Sequence, residues 1–146
     1  MNINGEILVE APQEKVWQAL NDPEVLKKAT PGCQSLIEVA PDHYKAHIVL
    51  GIPAVRGRYD ADIKILEKSP PDQYRLIMNA NSTKGFVQGD TTVKLTYQAP
   101  NTVIRYEGDA KAGGFIAGVG KTILSGISKI FIKDFFKKIA KHVKSQ

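Results

Sequence analysis

The chain has 146 residues, of which 42% are hydrophobic and 24% charged, a composition typical of one folded domain spanning residues 1–146 rather than a disordered segment. A run of 18 apolar residues, a secretion signal and a second cysteine are all missing, so we expect a cytoplasmic protein without a membrane span or an internal disulfide. The net charge of +5 is uneven, because residues 111–146 contain eight lysines and a single acidic residue, Asp134.

The N-terminal segment predicts one strand followed by two short helices. Residues Ile3 to Glu10 form the strand, and Pro12 suits the first turn of a helix that continues through VWQAL. Asp22 and Pro23 have the residue types of an N-cap and a first helical residue, which predicts a second helix over EVLKKA.

Residues from about 34 to 111 show the period of two that is typical of half-buried antiparallel strands. The clearest example is VRGRYDADIKIL, where apolar or small residues occupy one face and charged residues the other. Turn signals such as PD, SPPD and APN divide this region, so we expect about six strands in a meander of hairpins.

From Gly113 the apolar spacing changes to steps of three and four, which predicts one long C-terminal helix. Its apolar residues form two stripes: Ile116, Val119, Ile123, Ile127 and Ile130, then Ile132, Phe135, Phe136, Ile139 and Val143. At 100° per residue the stripes lie on roughly opposite sides of the helix. The helix therefore either kinks near Ile132 or is buried on different sides along its length.

This order of elements predicts an α+β architecture in which a curved antiparallel sheet of about seven strands wraps around the long helix. Two short helices follow the first strand. The arrangement is that of the helix-grip fold of START and Bet v 1-like proteins, which often leaves a cavity between the sheet and the helix.

The candidate catalytic residues form no recognisable set. His43 and His47 lie on a predicted strand, where a spacing of four residues separates them by about 13 Å, too far to share a metal. Cys33 has no base that the sequence can assign to it. We therefore predict no catalytic residues, no metal site and no cofactor, and an enzyme would have to use a polar cluster drawn from His43, His47, Arg105 and Asp109.

The stretch GGFIAGVGKT is similar to a phosphate-binding loop, but five residues separate Gly114 from Gly120 where that motif requires four. The strand before it is charged, so nucleotide binding is not predicted. Glycine costs roughly 1 kcal/mol relative to alanine inside a helix but leaves room beside the backbone. We expect Gly118, Gly120 and Gly126 to make room at a pocket.

An apolar cleft with few ionisable groups suits a lipophilic ligand better than hydrolysis. Aromatic and apolar residues on several strands and at the helix start are candidates for its lining, although alternating aromatic residues are more often simple core. The predicted ligand-binding residues are Tyr44, Val55, Tyr59, Met78, Phe86, Tyr106, Ile116, Val119, Gly120 and Ile123.

A basic C-terminal helix suits an anionic surface such as a membrane or an acidic partner, with solvated lysines as the common alternative. Nucleic acid is not expected, because the aromatic residues are not interleaved with the basic run. The predicted membrane or partner surface consists of Lys129, Lys133, Lys137, Lys138, Lys141 and Lys144.

Five stretches together resemble the CoxG family of carbon monoxide dehydrogenase accessory proteins, which is part of the START-like, polyketide cyclase-like (SRPBCC) superfamily. They are NDPEVLKKATPGCQSL, GIPAVRGRYDADIKI, KGFVQGDTTVKL, RYEGDAKAGGFIAGVG and DFFKKIA. The resemblance implies a non-enzymatic accessory protein that holds a quinone- or lipid-like molecule and works with a molybdenum hydroxylase of the carbon monoxide dehydrogenase type.

The resemblance also implies contact with the inner face of the membrane. Some members of that family continue past this helix into an apolar anchor, whereas this sequence ends at HVKSQ, so we expect peripheral contact at most. Two alternatives stay open: a small cyclase- or hydrolase-like enzyme that uses the same cavity, and a membrane-recruitment module that acts through the lysine-rich helix.

Overall fold

A computed structural model of the chain describes residues 1–145 and contains one seven-stranded sheet and three α-helices. The strands are β1 (Asn2–Val9), β2 (Cys33–Ala40), β3 (His43–Leu50), β4 (Gly57–Ser69), β5 (Gln73–Ser82), β6 (Gly85–Gln98) and β7 (Asn101–Gly114). The helices are α1 (Gln13–Leu20), α2 (Pro23–Ala29) and α3 (Lys121–Lys144). Short 3-10 turns at Pro53–Val55 and Phe115–Val119 precede β4 and α3.

The sheet is antiparallel throughout, in the order β1-β7-β6-β5-β4-β3-β2, so the first and second strands form its two edges. It is curved and closes around α3, which confirms the predicted helix-grip fold. The predicted start of α2 is also confirmed, since the Asp22 carboxylate accepts a hydrogen bond of 3.0 Å from the backbone N–H of Glu24, and Pro23 is the first helical residue.

The first of two hydrophobic clusters joins the sheet to all three helices. Trp17 of α1 meets Tyr74 of β5 edge to face, with ring centroids 5.7 Å apart, and Tyr106 of β7 stacks on Phe136 of α3 at 5.3 Å. Ile139 of α3 is completely buried in this cluster. The C-terminal half of α3 is therefore anchored on the sheet.

The second cluster lies at the other end of the sheet. It joins Ile48 and Tyr59 to Ile116 of the turn before α3, and the Tyr59 hydroxyl donates a 2.6 Å hydrogen bond to the carbonyl of Val55. The chain thus contains two packed regions, which adjoin at Leu36 and Ile63, since both residues pack against each cluster.

The start of the long helix differs from the sequence prediction. Strand β7 continues to Gly114, a 3-10 turn follows, and Gly120 with φ of +99° separates that turn from α3. Because the chain is not helical before Lys121, Ile116 and Val119 do not continue the helical stripe that includes Ile123.

Candidate functional site

The sheet face that packs against α3, called here the inner face, is lined by small and apolar side chains. Residues paired across antiparallel strands point to the same face, so the register defines rows that run across the sheet. One row contains four alanines: Leu36, Ala46, Ala61, Ala80, Val87 and Ala112. All six residues belong to the second hydrophobic cluster or pack against it.

The next two rows adjoin the first hydrophobic cluster, of which Tyr44 and Ile65 are members, and most of their residues are only half-buried. They consist of Tyr44, Ile63, Met78, Gly89 and Ala110, then Ile65, Leu76, Thr91, Gly108 and Ile3. Solvent reaches Ile63, Leu76, Met78 and Thr91 although they face the helix side of the sheet. The two rows therefore form the floor of an accessible cleft.

Gly89 marks open space within this cleft. It pairs with Met78 and Ala110 on the inner face, and a Cβ atom added to it would meet no heavy atom within 4 Å. A glycine inside a strand commonly marks close approach of another backbone or a ligand. Here no heavy atom of residues 1–145 occupies the space directly above it.

The roof of the cleft is the first half of α3. Leu124 and Ile127 pack against the second cluster, and Ser125 and Ser128 are half-buried beside them, whereas Phe136 and Ile139 in the second half are buried. The Ser128 hydroxyl donates a 2.8 Å hydrogen bond to the carbonyl of Leu124. The helix thus packs tightly at its C-terminal end and loosely over the cleft.

Eight of the ten predicted ligand-binding residues lie on or near the inner face. Tyr44 is buried on β3, and the pKa of its hydroxyl is raised to about 12, chiefly by burial and then by the nearby Glu38 carboxylate. Met78 and Tyr106 are half-buried on the inner face. Those eight are Tyr44, Val55, Tyr59, Met78, Tyr106, Ile116, Val119 and Gly120.

Phe86 and Ile123 are placed elsewhere, which corrects the predicted lining. Phe86 pairs with Gly113 on the opposite, outer face of the sheet, and its ring occupies the position where a Cβ of Gly113 would lie. Phe86 is seven positions before the inward-facing Val93. Because side chains alternate along a strand, an odd difference in position puts Phe86 on the outer face. Ile123 is 54% exposed, because α3 turns Leu124 inward instead.

The expected role of the helical glycines also needs correction. Gly118 and Gly126 are exposed, and a Cβ at either would point into open solvent. The open space on the inner face lies instead above Gly89, which the sequence prediction missed. Small residues at alternate positions of successive strands were the available signal.

Two surface depressions lie outside this cleft. One of about 440 Å³ is bordered by Gln13 of α1 and Tyr97 of β6, and its walls are largely polar. The other, of about 300 Å³, lies between α2 and the end of α3, beside Lys28 and Lys141. Both are open to solvent, and neither lies between α3 and the sheet.

The outward side of α3 changes character along its length. Ile123 and Ile130 are 54% and 67% exposed, and Phe115 in the preceding turn is 83% exposed. The six predicted surface lysines, between Lys129 and Lys144, are all exposed. Lys138 pairs with Asp134 and Lys144 with Glu10, each at 3.0 Å. None of the helices in residues 1–145 is both long and apolar enough to cross a bilayer.

The residues considered for catalysis are on the outer face of the sheet. His43 Nε2 lies 2.7 Å from Asp62 Oδ1, and His47 Nδ1 lies 2.6 Å from Asp60 Oδ1. The hydrogen bond with His43 is the main cause that lowers the pKa of Asp62. These cross-strand pairs belong to the solvated surface, as predicted for alternating charges.

Arg105 and Asp109 on β7 also face outward and are exposed, with Arg105 Nε 2.8 Å from Glu6 Oε2. Cys33 is half-buried at the start of β2, and burial is the main cause that raises the pKa of its thiol, which disfavours the reactive thiolate. Within residues 1–145 no group of three potential ligands among His, Cys, Asp and Glu is arranged to hold a metal ion.

Known proteins share both the sequence pattern and the fold of this chain. The family model for CoxG, the G subunit of carbon monoxide dehydrogenase, matches residues 5–144. The chain belongs to the CoxG family. A crystal structure of a conserved protein from Geobacillus kaustophilus is similar to this CoxG protein, with 39% identity and a TM-score of 0.96 over 99% of this chain and 96% of the other.

A START superfamily protein from Mycobacterium smegmatis shares the fold of this CoxG protein, with a TM-score of 0.78 at 10% identity over 99% of this chain and 97% of the other. No curated protein matches the sequence. The CoxG family is one of accessory subunits rather than catalytic ones.

Proposed function

We propose that this CoxG protein binds a lipophilic small molecule, quinone- or lipid-like, in the cleft between the inner face of the sheet and the first half of α3. The observation that carries the proposal is the open space above Gly89, which lies among half-buried apolar residues such as Met78 and Ile63. Accessible apolar surface in a concave site is the usual setting for a lipophilic ligand.

The outward orientation of the polar groups supports binding over catalysis. An enzyme that used this cleft would need a general acid, base or nucleophile within reach of its substrate. His43, His47, Arg105 and Asp109 are all on the other face of the sheet. The Cys33 thiol is disfavoured as a nucleophile by its raised pKa.

Uptake of a ligand is tested by native mass spectrometry. The purified protein is incubated with a long-chain isoprenoid quinone or a diacylglycerol, and a complex of one protein and one lipophile is expected. The Gly89→Leu variant, whose side chain occupies the open space, should take up much less. Equal uptake by both proteins, or none by the wild type, would count against the proposal.

A second part of the proposal is peripheral contact with the inner face of the membrane. A carrier of a lipophile has to exchange it with a bilayer, and the outward side of α3 combines exposed apolar residues with lysines. Lysines near an anionic surface contribute about 1 kcal/mol each. The family description also makes a carbon monoxide dehydrogenase-type enzyme the proposed recipient of the ligand.

Membrane contact is tested by sedimentation with phosphatidylcholine vesicles that contain or lack about 30% phosphatidylglycerol. We expect binding to the anionic vesicles that weakens at high salt and weakens further when Lys133, Lys137 and Lys141 are changed to Gln. The matched control changes Lys64, Lys94 and Lys111, which are exposed on the sheet. Equal binding by both triple variants would argue against a role for α3.

A further inference from the structure

Among residues 1–145, no side chain with a formal charge lies on the floor of the cleft. Cross-strand pairing puts two rows on this floor, from Tyr44 to Ala110 and from Ile65 to Ile3, and neither includes Asp, Glu, Lys, Arg or His. The half-buried positions of the helix above them, Leu124, Ser125, Ile127 and Ser128, are also uncharged.

Charged side chains are found at the margins. Glu38 pairs with Tyr44 from the edge strand β2 and is exposed, and Lys121 is the exposed first residue of α3. Solvent can screen both of these groups, so neither is a buried partner for a ligand charge inside the cleft.

The polar groups inside the cleft are hydroxyls. Thr91 lies half-buried on the floor, and Ser125 and Ser128 lie half-buried on the roof. A hydroxyl both donates and accepts hydrogen bonds, so Thr91 and Ser125 can satisfy a carbonyl, an ester or an alcohol, whereas Ser128, which donates to the Leu124 carbonyl, can only accept from a ligand. They do not neutralise a carboxylate, and burying an unpaired charge in apolar surroundings is costly.

We infer that the cleft accepts uncharged lipophiles with a hydrogen-bonding head and rejects free fatty acids of the same chain length. This inference rests on the proposed function and adds the class of ligand to it. At neutral pH the Kd for the fatty acid should be at least roughly tenfold higher than the Kd for the uncharged lipophile. A ratio of that size corresponds to the lower end of the free-energy cost of burying an unpaired polar group.

The test compares hexadecanol, methyl hexadecanoate and hexadecanoic acid by displacement of a bound neutral fluorescent lipophile. At about pH 8 the alcohol and the ester should displace the probe at concentrations at least about tenfold lower than the acid. The difference should shrink as the pH is lowered toward the pKa of the acid, because the protonated acid is uncharged.

A cation introduced into the cleft should reverse the preference for the alcohol over the acid. Thr91→Lys places an ammonium group on the floor, and the acid should then bind more tightly than the alcohol. Thr96→Lys is the matched control, since Thr96 is exposed on the outer face of the same strand. Ser125→Lys repeats the test from the helix if Thr91→Lys does not fold, as judged by circular dichroism.

The outcomes separate this inference from the proposed function. Equal affinity of the wild type for the acid and the alcohol under those alkaline conditions overturns the inference and leaves the binding function intact. Binding of none of the three lipophiles, nor of the probe, overturns both. An unchanged preference in folded Thr91→Lys and Ser125→Lys variants shows that the cleft residues do not set the selectivity.

Discussion

At the scale of single residues, three glycines of this chain have different physical roles. Gly89 lies in an extended strand below open space, Gly120 has a φ of +99° between a 3-10 turn and α3, and Gly126 lies inside α3 with its missing side chain directed to solvent. The same substitution should therefore have a different effect at each position.

Gly89→Leu should weaken ligand binding by at least about tenfold while changing the free energy of unfolding by less than about 1 kcal/mol. The new side chain enters open apolar space instead of displacing protein atoms. Titration of a fluorescent lipophile and urea unfolding measure the two quantities. Gly51→Leu is the control, because Gly51 is exposed and also has no atom within 4 Å of an added Cβ.

Gly120→Ala and Gly126→Ala should shift stability in opposite directions. Neither Cβ meets another atom, so the backbone decides the outcome. Alanine at Gly120 must adopt a conformation with φ of +99° and ψ of 148°, which costs about 1–3 kcal/mol. Alanine at Gly126 improves helix propensity by about 1 kcal/mol. Urea unfolding that moved both midpoints in the same direction would contradict this explanation.

At the scale of elements, α3 has two functionally distinct halves. The second half buries Phe136, Ile139 and Val143 against the sheet and the short helices, whereas the first half has only half-buried residues, among them Leu124, Ile127 and Ser128. The sequence showed two apolar stripes, and the structure buries the first one only in part. Its residues Ile123 and Ile130 are exposed, whereas Ile127 packs against the second cluster.

Truncation of one isoleucine from each half tests this division. Ile139 is fully buried, so Ile139→Ala should destabilise the fold by about 2–5 kcal/mol through lost contacts and a cavity. Ile130 is 67% exposed, so Ile130→Ala should change the free energy of unfolding by less than about 0.5 kcal/mol. Comparable losses in chemical denaturation would mean that the first half packs against the protein as well.

The stability that the pairing of β3 with β4 contributes should depend on pH, and the direction of the pKa shift of Asp62 gives the sign. The hydrogen bond with His43 lowers the pKa of Asp62 in the folded protein below its ordinary value of 3.8, so the ionised carboxylate favours folding. That contribution is present above about pH 4 and is lost as the pH falls through the lowered pKa. Because 31% of the Asp62 side chain is exposed, we expect a modest effect.

Asp62→Asn should therefore lower the Tm at neutral pH, and the difference from the wild type should shrink below about pH 4. Thermal unfolding followed by circular dichroism from about pH 7 to about pH 3 measures that difference. Asp109→Asn, an exposed change on the same face of the sheet, is the control. A difference that stays constant over the whole range would rule out the carboxylate charge as its cause.

At the scale of the whole molecule, two packed regions hold the sheet and α3 together and leave part of the inner face accessible. The first combines all three helices with the sheet, and the second contains Ile48, Tyr59 and Ile116. A ligand in the cleft would bridge these regions and would bind the folded chain only. Binding should therefore stabilise the molecule as a whole.

An uncharged lipophile at a concentration of about a hundred times its Kd should add about 2.7 kcal/mol to the free energy of unfolding. For a domain of this size that corresponds to a rise in Tm of roughly 5–10 °C. Differential scanning calorimetry measures the rise, and the Gly89→Leu variant should show little of it. A rise of the same size in that variant would place the ligand elsewhere on the molecule.

The sequence was sufficient for most of the fold because local periodicity reflects backbone geometry. A period of two and the turn residues indicated the seven strands, and Asp22 with Pro23 indicated the start of α2. The start of α3 was harder to predict from the sequence, because the turn at Phe115–Val119 continues an apolar spacing that also suits a helix. The conformation of Gly120 separates the two elements, and spacing alone does not reveal it.

The sequence by itself determined the fold class, the family, the concentration of lysines near the C-terminus and the alternation of each strand. Tertiary structure alone decided which face of each element is covered and where space remains. Phe86 and Ile123 are apolar residues in a suitable pattern, yet one packs over Gly113 on the outer face and the other is exposed. The open space above Gly89 depends on the separation of α3 from the sheet, which is set by contacts between residues far apart in the chain.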